Sequence, residues 1–93
     1  MRAIDRNAIA QTWASQGFSC DLWVDSPGQR WEDFTHDTDE VVLVLEGQME
    51  FEIEGEVHRP APGEEVIIPA RARHSARNIG MTTARWLYGY RRA

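Results

Sequence analysis

The chain reads as a single all-β domain behind a short N-terminal helix, and three observations carry that reading. Beyond Gly17 the hydrophobic period falls from the 3.6 residues of a helix to the two of a strand. Gly and Pro interrupt this alternation at short intervals, as they do between the strands of a sandwich or barrel. A length of 93 residues leaves room for one core only. No repeat, linker or low-complexity tract divides it. The expected division is therefore a helical lead over residues 1–17 and a β-barrel over residues 18–93.

Each element has a local cause. From Asp5 to Gln16, Ile9 and Trp13 share one helical face, with Asp5 placed to cap the start and Gly17 to stop the helix. Phe18, Cys20, Leu22 and Val24 alternate with polar residues as far as Asp25, and Pro27-Gly28 forms a turn. Gln29 to His36 is the second strand. Val41 to Leu45 is a continuous apolar run, the pattern of a strand covered on both faces. Met49, Phe51 and Ile53 face one way and Gln48, Glu50, Glu52 and Glu54 the other, and Glu54-Gly55 closes a hairpin into Glu56 to Arg59. Pro60 and Pro62 interrupt pairing, Val66 to Ile68 resumes it, and Ala84 to Tyr90 is the last strand.

Composition narrows the function. A net charge of −5 argues against nucleic-acid binding, which draws its affinity from clustered Lys and Arg. Arg85, Arg91 and Arg92 read as a solvated end. No apolar run approaches the roughly 20 residues of a membrane span, and no secretory signal is visible. Cys20 is the only cysteine, so no internal disulfide forms, and a reducing cytoplasm is the expected location. Its place in an alternating strand marks it as a small core residue rather than a reactive thiol.

The chemistry-bearing residues fall in two short segments, Gly28, Phe34, His36, Glu40, Gly47 and Gly63, Pro69, His74, Asn78. Residues two apart on a strand share a face, so strict alternation puts Arg30, Glu32 and Phe34 on the surface of His36. These three are the expected lining of a ligand pocket, with Arg30 as partner for an anionic ligand. Glu40 follows the acidic turn Asp37-Thr38-Asp39 at the entrance to the apolar Val41 strand, where an unpartnered carboxylate is costly to bury. His74 follows the turn Ala70-Arg71-Ala72-Arg73. Two imidazoles and one carboxylate suit Fe, Mn, Ni or Zn and leave coordination positions open. The same spacing also fits two ordinary polar histidines at strand ends.

These segments resemble the two motifs of the cupin superfamily. The first motif reads Gly, five residues, His, one, His, three or four, Glu, six, Gly. Here every interval is kept, with Phe34 in the first histidine place. The second reads Gly, five, Pro, one, Gly, two, His, three, Asn, and again every interval is kept, with Arg71 in the glycine place. The resemblance covers roughly residues 25 to 90. It implies a small jelly-roll β-barrel, a divalent metal ion held by His36, Glu40 and His74, a small-molecule ligand and a homodimer. Phe34 has no coordinating atom, so three of the family's four ligands carry over.

Two classes of function follow. One is a small metalloprotein that binds or transforms a small polar metabolite at the open positions of its ion. The other is a non-catalytic binding or sensing module without metal, since no Ser-His-Asp or Cys-His arrangement and no general base outside the ligand set is apparent. Trp86, Tyr88 and Tyr90 share one face of the last strand, set either at a pocket mouth or against a second subunit. Asn78 is expected to fix the turn near His74, and His58 to lie at the surface.

Overall fold

A computed structural model describes residues 4–92. The lead forms helix α1 (Arg6–Ser15). The Asp5 carboxylate accepts the backbone N–H of Asn7 and Ala8 at 3.0 and 3.1 Å, which satisfies two of the amides that a helix start leaves unpaired. Gly17 ends the helical segment in the left-handed region at φ +87°, where a side chain would be strained.

Eight strands follow: β1 (Asp21–Asp25), β2 (Arg30–Phe34), β3 (Glu40–Glu46), β4 (Met49–Ile53), β5 (Glu56–His58), β6 (Glu65–Ile68), β7 (His74–Asn78) and β8 (Ala84–Tyr90). They pair in two four-stranded antiparallel sheets, ordered β1-β8-β3-β6 and β2-β7-β4-β5. The β4–β5 hairpin turns on Glu54 and Gly55, both at positive φ, as a two-residue connection with the twist of its strands requires.

The continuous apolar run in β3 is explained by what covers it. Val42 and Val44 join Met49, Phe51, Ile53, Ile68, Ala76, Ala84 and Trp86 in the core between the sheets. Val41 and Leu43 point the other way and pack with Leu87, Phe18 and Trp13 of α1. The helix thus shields the outer face of one sheet, and a buried tryptophan such as Trp13 contributes on the order of 3 kcal/mol or more. Cys20 is half-buried at the rim of that cluster, and burial pushes its thiol pKa up, as a packing role requires.

Two features depart from the alternation read in the sequence. His74–Asn78, which carries no clear apolar alternation, is a full strand, paired with both β2 and β4. In β2 the register slips between Trp31 and Phe34: Trp31 opposes Ala76, whereas Phe34 opposes His74. Asp33 lies at φ +60° there. One extra residue in a strand reverses the facing of everything beyond it.

Candidate metal centre

The two motif segments meet at one end of the barrel. Phe34 ends β2, His36 follows in the connection to β3, Glu40 begins β3 and His74 begins β7. Asp39 ties the loops together: its carboxylate accepts the Ala70 N–H at 2.8 Å and its carbonyl the Arg91 N–H at 2.9 Å. The Ala70 amide first, and then Arg91, hold the Asp39 carboxyl below the usual carboxylate range. The His36 carbonyl in turn accepts the N–H of Arg71 at 2.6 Å. Arg71 stands where the cupin motif has glycine, and it keeps glycine's conformation at φ +64°, at a cost of about 1–2 kcal/mol. The backbone geometry is retained although the residue that relieves it is not.

His36, Glu40 and His74 each offer a ligand atom, and these atoms lie within 4.8 Å of one another. Glu40 is 4% exposed, and its Oε1 lies 3.4 Å from His74 Nε2 and 3.7 Å from His36 Nε2. That oxygen has no hydrogen-bond partner, a condition worth about 1–3 kcal/mol of lost stability unless something supplies one. His74 Nδ1 lies 3.0 Å from the Ala72 carbonyl, which fixes the proton there and turns the Nε2 lone pair toward Glu40. Metal-binding histidines are oriented in this way by a backbone carbonyl. Burial pulls the His74 pKa down, but the Glu40 carboxylate and the Ala72 carbonyl outweigh it, and the net shift is upward. An orphaned carboxylate oxygen, two imidazoles and a locked tautomer form a donor set that fits a divalent ion.

Phe34 occupies the fourth place. Its ring centroid is 6.5 Å from that of His36 and 6.5 Å from that of His74, so it walls the site on the side where the family places another imidazole. Tyr90 closes the opposite side, its hydroxyl 3.4 Å from His36 Nε2. Burial, followed by the Glu40 charge, pushes its pKa up to about 12, so the phenol stays protonated.

These five residues open into a cavity of about 340 Å³ lined otherwise by apolar and aromatic side chains, including Trp23, Trp31, Phe51, Trp86 and Tyr88. The expected lining is therefore corrected in part. Phe34 lines the cavity, but Arg30 and Glu32 do not. The β2 bulge turns them to the outer face, where Glu32 pairs with Arg77 at 2.7 Å and with Arg30 at 3.6 Å. Trp31 takes their place. Trp86, Tyr88 and Tyr90 line the cavity rather than an outer surface.

A second buried carboxylate, Asp25, was not foreseen. It is 2% exposed and accepts three indole N–H groups, from Trp23 and Trp31 on Oδ1 at 2.9 Å each and from Trp86 on Oδ2 at 3.0 Å. Asn78 donates to the Asp25 carbonyl at 3.2 Å and to that of Thr82 at 3.0 Å, so it holds this end of the barrel as well as its own turn. Three of the four indole N–H groups thus share one acceptor, while that of the buried Trp13 has none among the described residues, and no sequence pattern names Asp25 for the role.

A family model described as the cupin domain matches residues 21–90, and the chain belongs to the cupin family. No curated protein matches the chain. Among solved structures, a conserved protein of unknown function from Streptococcus pyogenes is similar at 22% identity and TM-score 0.73, covering 84% of this chain and 67% of that one. The Cnp3 cupin domain of Schizosaccharomyces pombe is 18% identical at TM-score 0.76, covering 83% and 57%. A DMSP lyase from Ruegeria pomeroyi DSS-3 is 23% identical at TM-score 0.72, covering 82% and 39%. The chain thus spans between two-fifths and two-thirds of these structures, and the likeness is one of fold.

Proposed function

We propose that this protein is a small metal-binding cupin in which His36, Glu40 and His74 hold one divalent ion and the aromatic cavity beside them holds a small organic ligand. The observation that carries the reading is the buried Glu40 Oε1 without a hydrogen-bond donor, flanked by the Nε2 atoms of His36 and His74, with the other ring nitrogen of His74 engaged by the Ala72 carbonyl. When bound, such an ion supplies Lewis acidity and open coordination positions for a donor atom of the ligand. Phe34 makes one side of the centre apolar. Tyr90, held protonated, presents a hydroxyl beside His36. Polar recognition of the ligand falls to this end, because the remaining walls are apolar.

A binding or sensing role is favoured over proton-transfer catalysis by one observation. Every carboxylate and imidazole that lines the cavity belongs to the ligand set, which leaves no separate general base. The structures that share the fold include a lyase and a protein of unknown function, so the fold does not choose between the classes. The edge strands β1, β2, β5 and β6 support a homodimer, and the lone Cys20 supports a cytoplasmic setting. Among the described residues no helix is long and apolar enough to cross a membrane.

Calorimetric titration of chelator-treated protein with Fe, Mn, Ni and Zn tests the centre. The reading predicts a single site for at least one of them, lost in His74→Ala. Absence of binding for all four in a folded wild type would remove the metal and leave the binding module.

A further inference from the structure

The end of the cavity away from the histidines has no role in holding an ion, yet it is the most elaborately built part of the barrel. Trp23, Trp31, Trp86 and Tyr88 form its walls. Their rings meet at steep angles: Trp23 and Trp31 at 80° with centroids 5.4 Å apart, Trp23 and Tyr88 at 77° and 5.9 Å, and Trp86 and Tyr88 at 59° and 6.0 Å. The N–H edge of each indole points away from the cavity to the Asp25 carboxylate. The positive edge of each ring is thus consumed by hydrogen bonding to an anion. Some ring face is spent on the edge-to-face contacts of Trp23 with Trp31 and Tyr88, and the aromatic surface left to line the cavity is negative on its faces. A carboxylate accepting from an indole also polarises it and makes that face more negative.

The charge of the cavity points the same way. Asp25 pairs with the indole N–H groups rather than with an arginine or lysine. Glu40 is the one formally charged side chain on the cavity wall, and no lysine or arginine lines it. An anionic head group would therefore find no cationic side chain at this end, with the Asp25 carboxyl behind the indoles. The walls are also poor in hydrogen-bonding groups, so a strongly hydrated ion such as ammonium would lose its water without replacement. A weakly hydrated organic cation loses little and gains several ring faces. The chain's net charge of −5 favours its approach.

We infer that the Asp25-anchored aromatic chamber is a binding site for a methylated ammonium head group or a cation of similar softness. Asp25 is a positioning residue that acts through the three indoles. This rests on the reading of the aromatic cavity as a ligand site and names the ligand class, but it does not rest on the ion, since the indoles, Tyr88 and Asp25 are distinct from His36, Glu40 and His74.

The probes are choline and 3,3-dimethyl-1-butanol, its uncharged isostere with carbon in place of nitrogen, each titrated into the whole protein while tryptophan fluorescence is followed. Choline is expected to bind at least about tenfold tighter than the isostere, as a desolvated cation on aromatic faces should. The preference should survive in Trp23→Phe and fall to near unity in Trp23→Leu, which keeps apolar bulk but removes the ring. Asp25→Asn should weaken it as well, and if that variant does not fold the Trp23 pair decides. Equal or tighter binding of the isostere, binding of neither probe at millimolar concentration, or an unchanged preference in Trp23→Leu would each overturn the inference. The same titration on chelator-treated wild type and on His74→Ala separates the two readings. Retained choline selectivity there, with metal binding absent, leaves the chamber standing whatever becomes of the ion.

Discussion

Glu40, on the cavity wall, and Asp25, behind the indoles that line it, are two buried carboxylates satisfied in opposite ways. Asp25 receives three indole N–H groups on two oxygens. Glu40 has an oxygen that receives none. Burial alone costs both the hydration of a charge. At Asp25 the protein has replaced that hydration, so the group belongs to the scaffold. At Glu40 one oxygen is left without a donor between two imidazoles, and under the proposed reading an ion takes that place. The contrast separates a carboxylate that braces the walls from one that the proposed reading assigns to an ion.

The largest test of this contrast is Asp25→Ala. It removes the acceptor of three indole N–H groups, of which that of Trp86 is buried, and a loss of about 3 kcal/mol or more is expected in urea unfolding. A loss under 1 kcal/mol would mean that the indoles find water, and Asp25 would not be structural. Phe34→His comes next. It restores an imidazole at the fourth place, and metal affinity should rise at least about tenfold, read by competition with a chromogenic chelator. An unchanged affinity would place Phe34 outside the coordination sphere. Glu40→Gln should behave unlike the Asp25 change. In chelator-treated protein it removes an unsatisfied charge and supplies an amide donor to His74 Nε2, so stability should hold or rise by about 1 kcal/mol while metal uptake is lost.

The smallest effect is in pH dependence. The His74 pKa is raised above its ordinary 6.5 in the folded protein. Its contribution to the stability of the metal-free form is therefore complete below about 6.5 and is lost as pH rises through the folded value. Metal affinity should run the other way over the same interval, because the ion needs the unprotonated nitrogen. Thermal melts with and without metal across this range would show opposite slopes. Parallel slopes would detach His74 from the site.

The Glu40 end was legible in the sequence and the Asp25 end was not. His36, Glu40 and His74 sit at fixed intervals from glycines, and those intervals encode turns and strand starts that the backbone obeys even where Arg71 replaces glycine. Asp25 draws its donors from β1, β2 and β8, with Trp86 61 residues away, and nothing periodic links them. The placement of Arg30 and Glu32 failed for a related reason. The bulge that reverses β2 rests on Asp33 at positive φ, and neither glycine nor proline marks it. The β7 strand escaped because His74, Ser75, Arg77 and Asn78 break the apolar alternation, even though His74, Ser75 and Asn78 are buried.

The central claim is that Glu40 and its two histidines hold an ion, and the metal content of wild-type protein purified without chelator tests it most directly. Elemental analysis is expected to find one equivalent of a divalent transition metal per chain in wild type and almost none in Glu40→Gln. Metal at the same level in both proteins, or in neither after incubation with Fe, Mn, Ni and Zn, would contradict it.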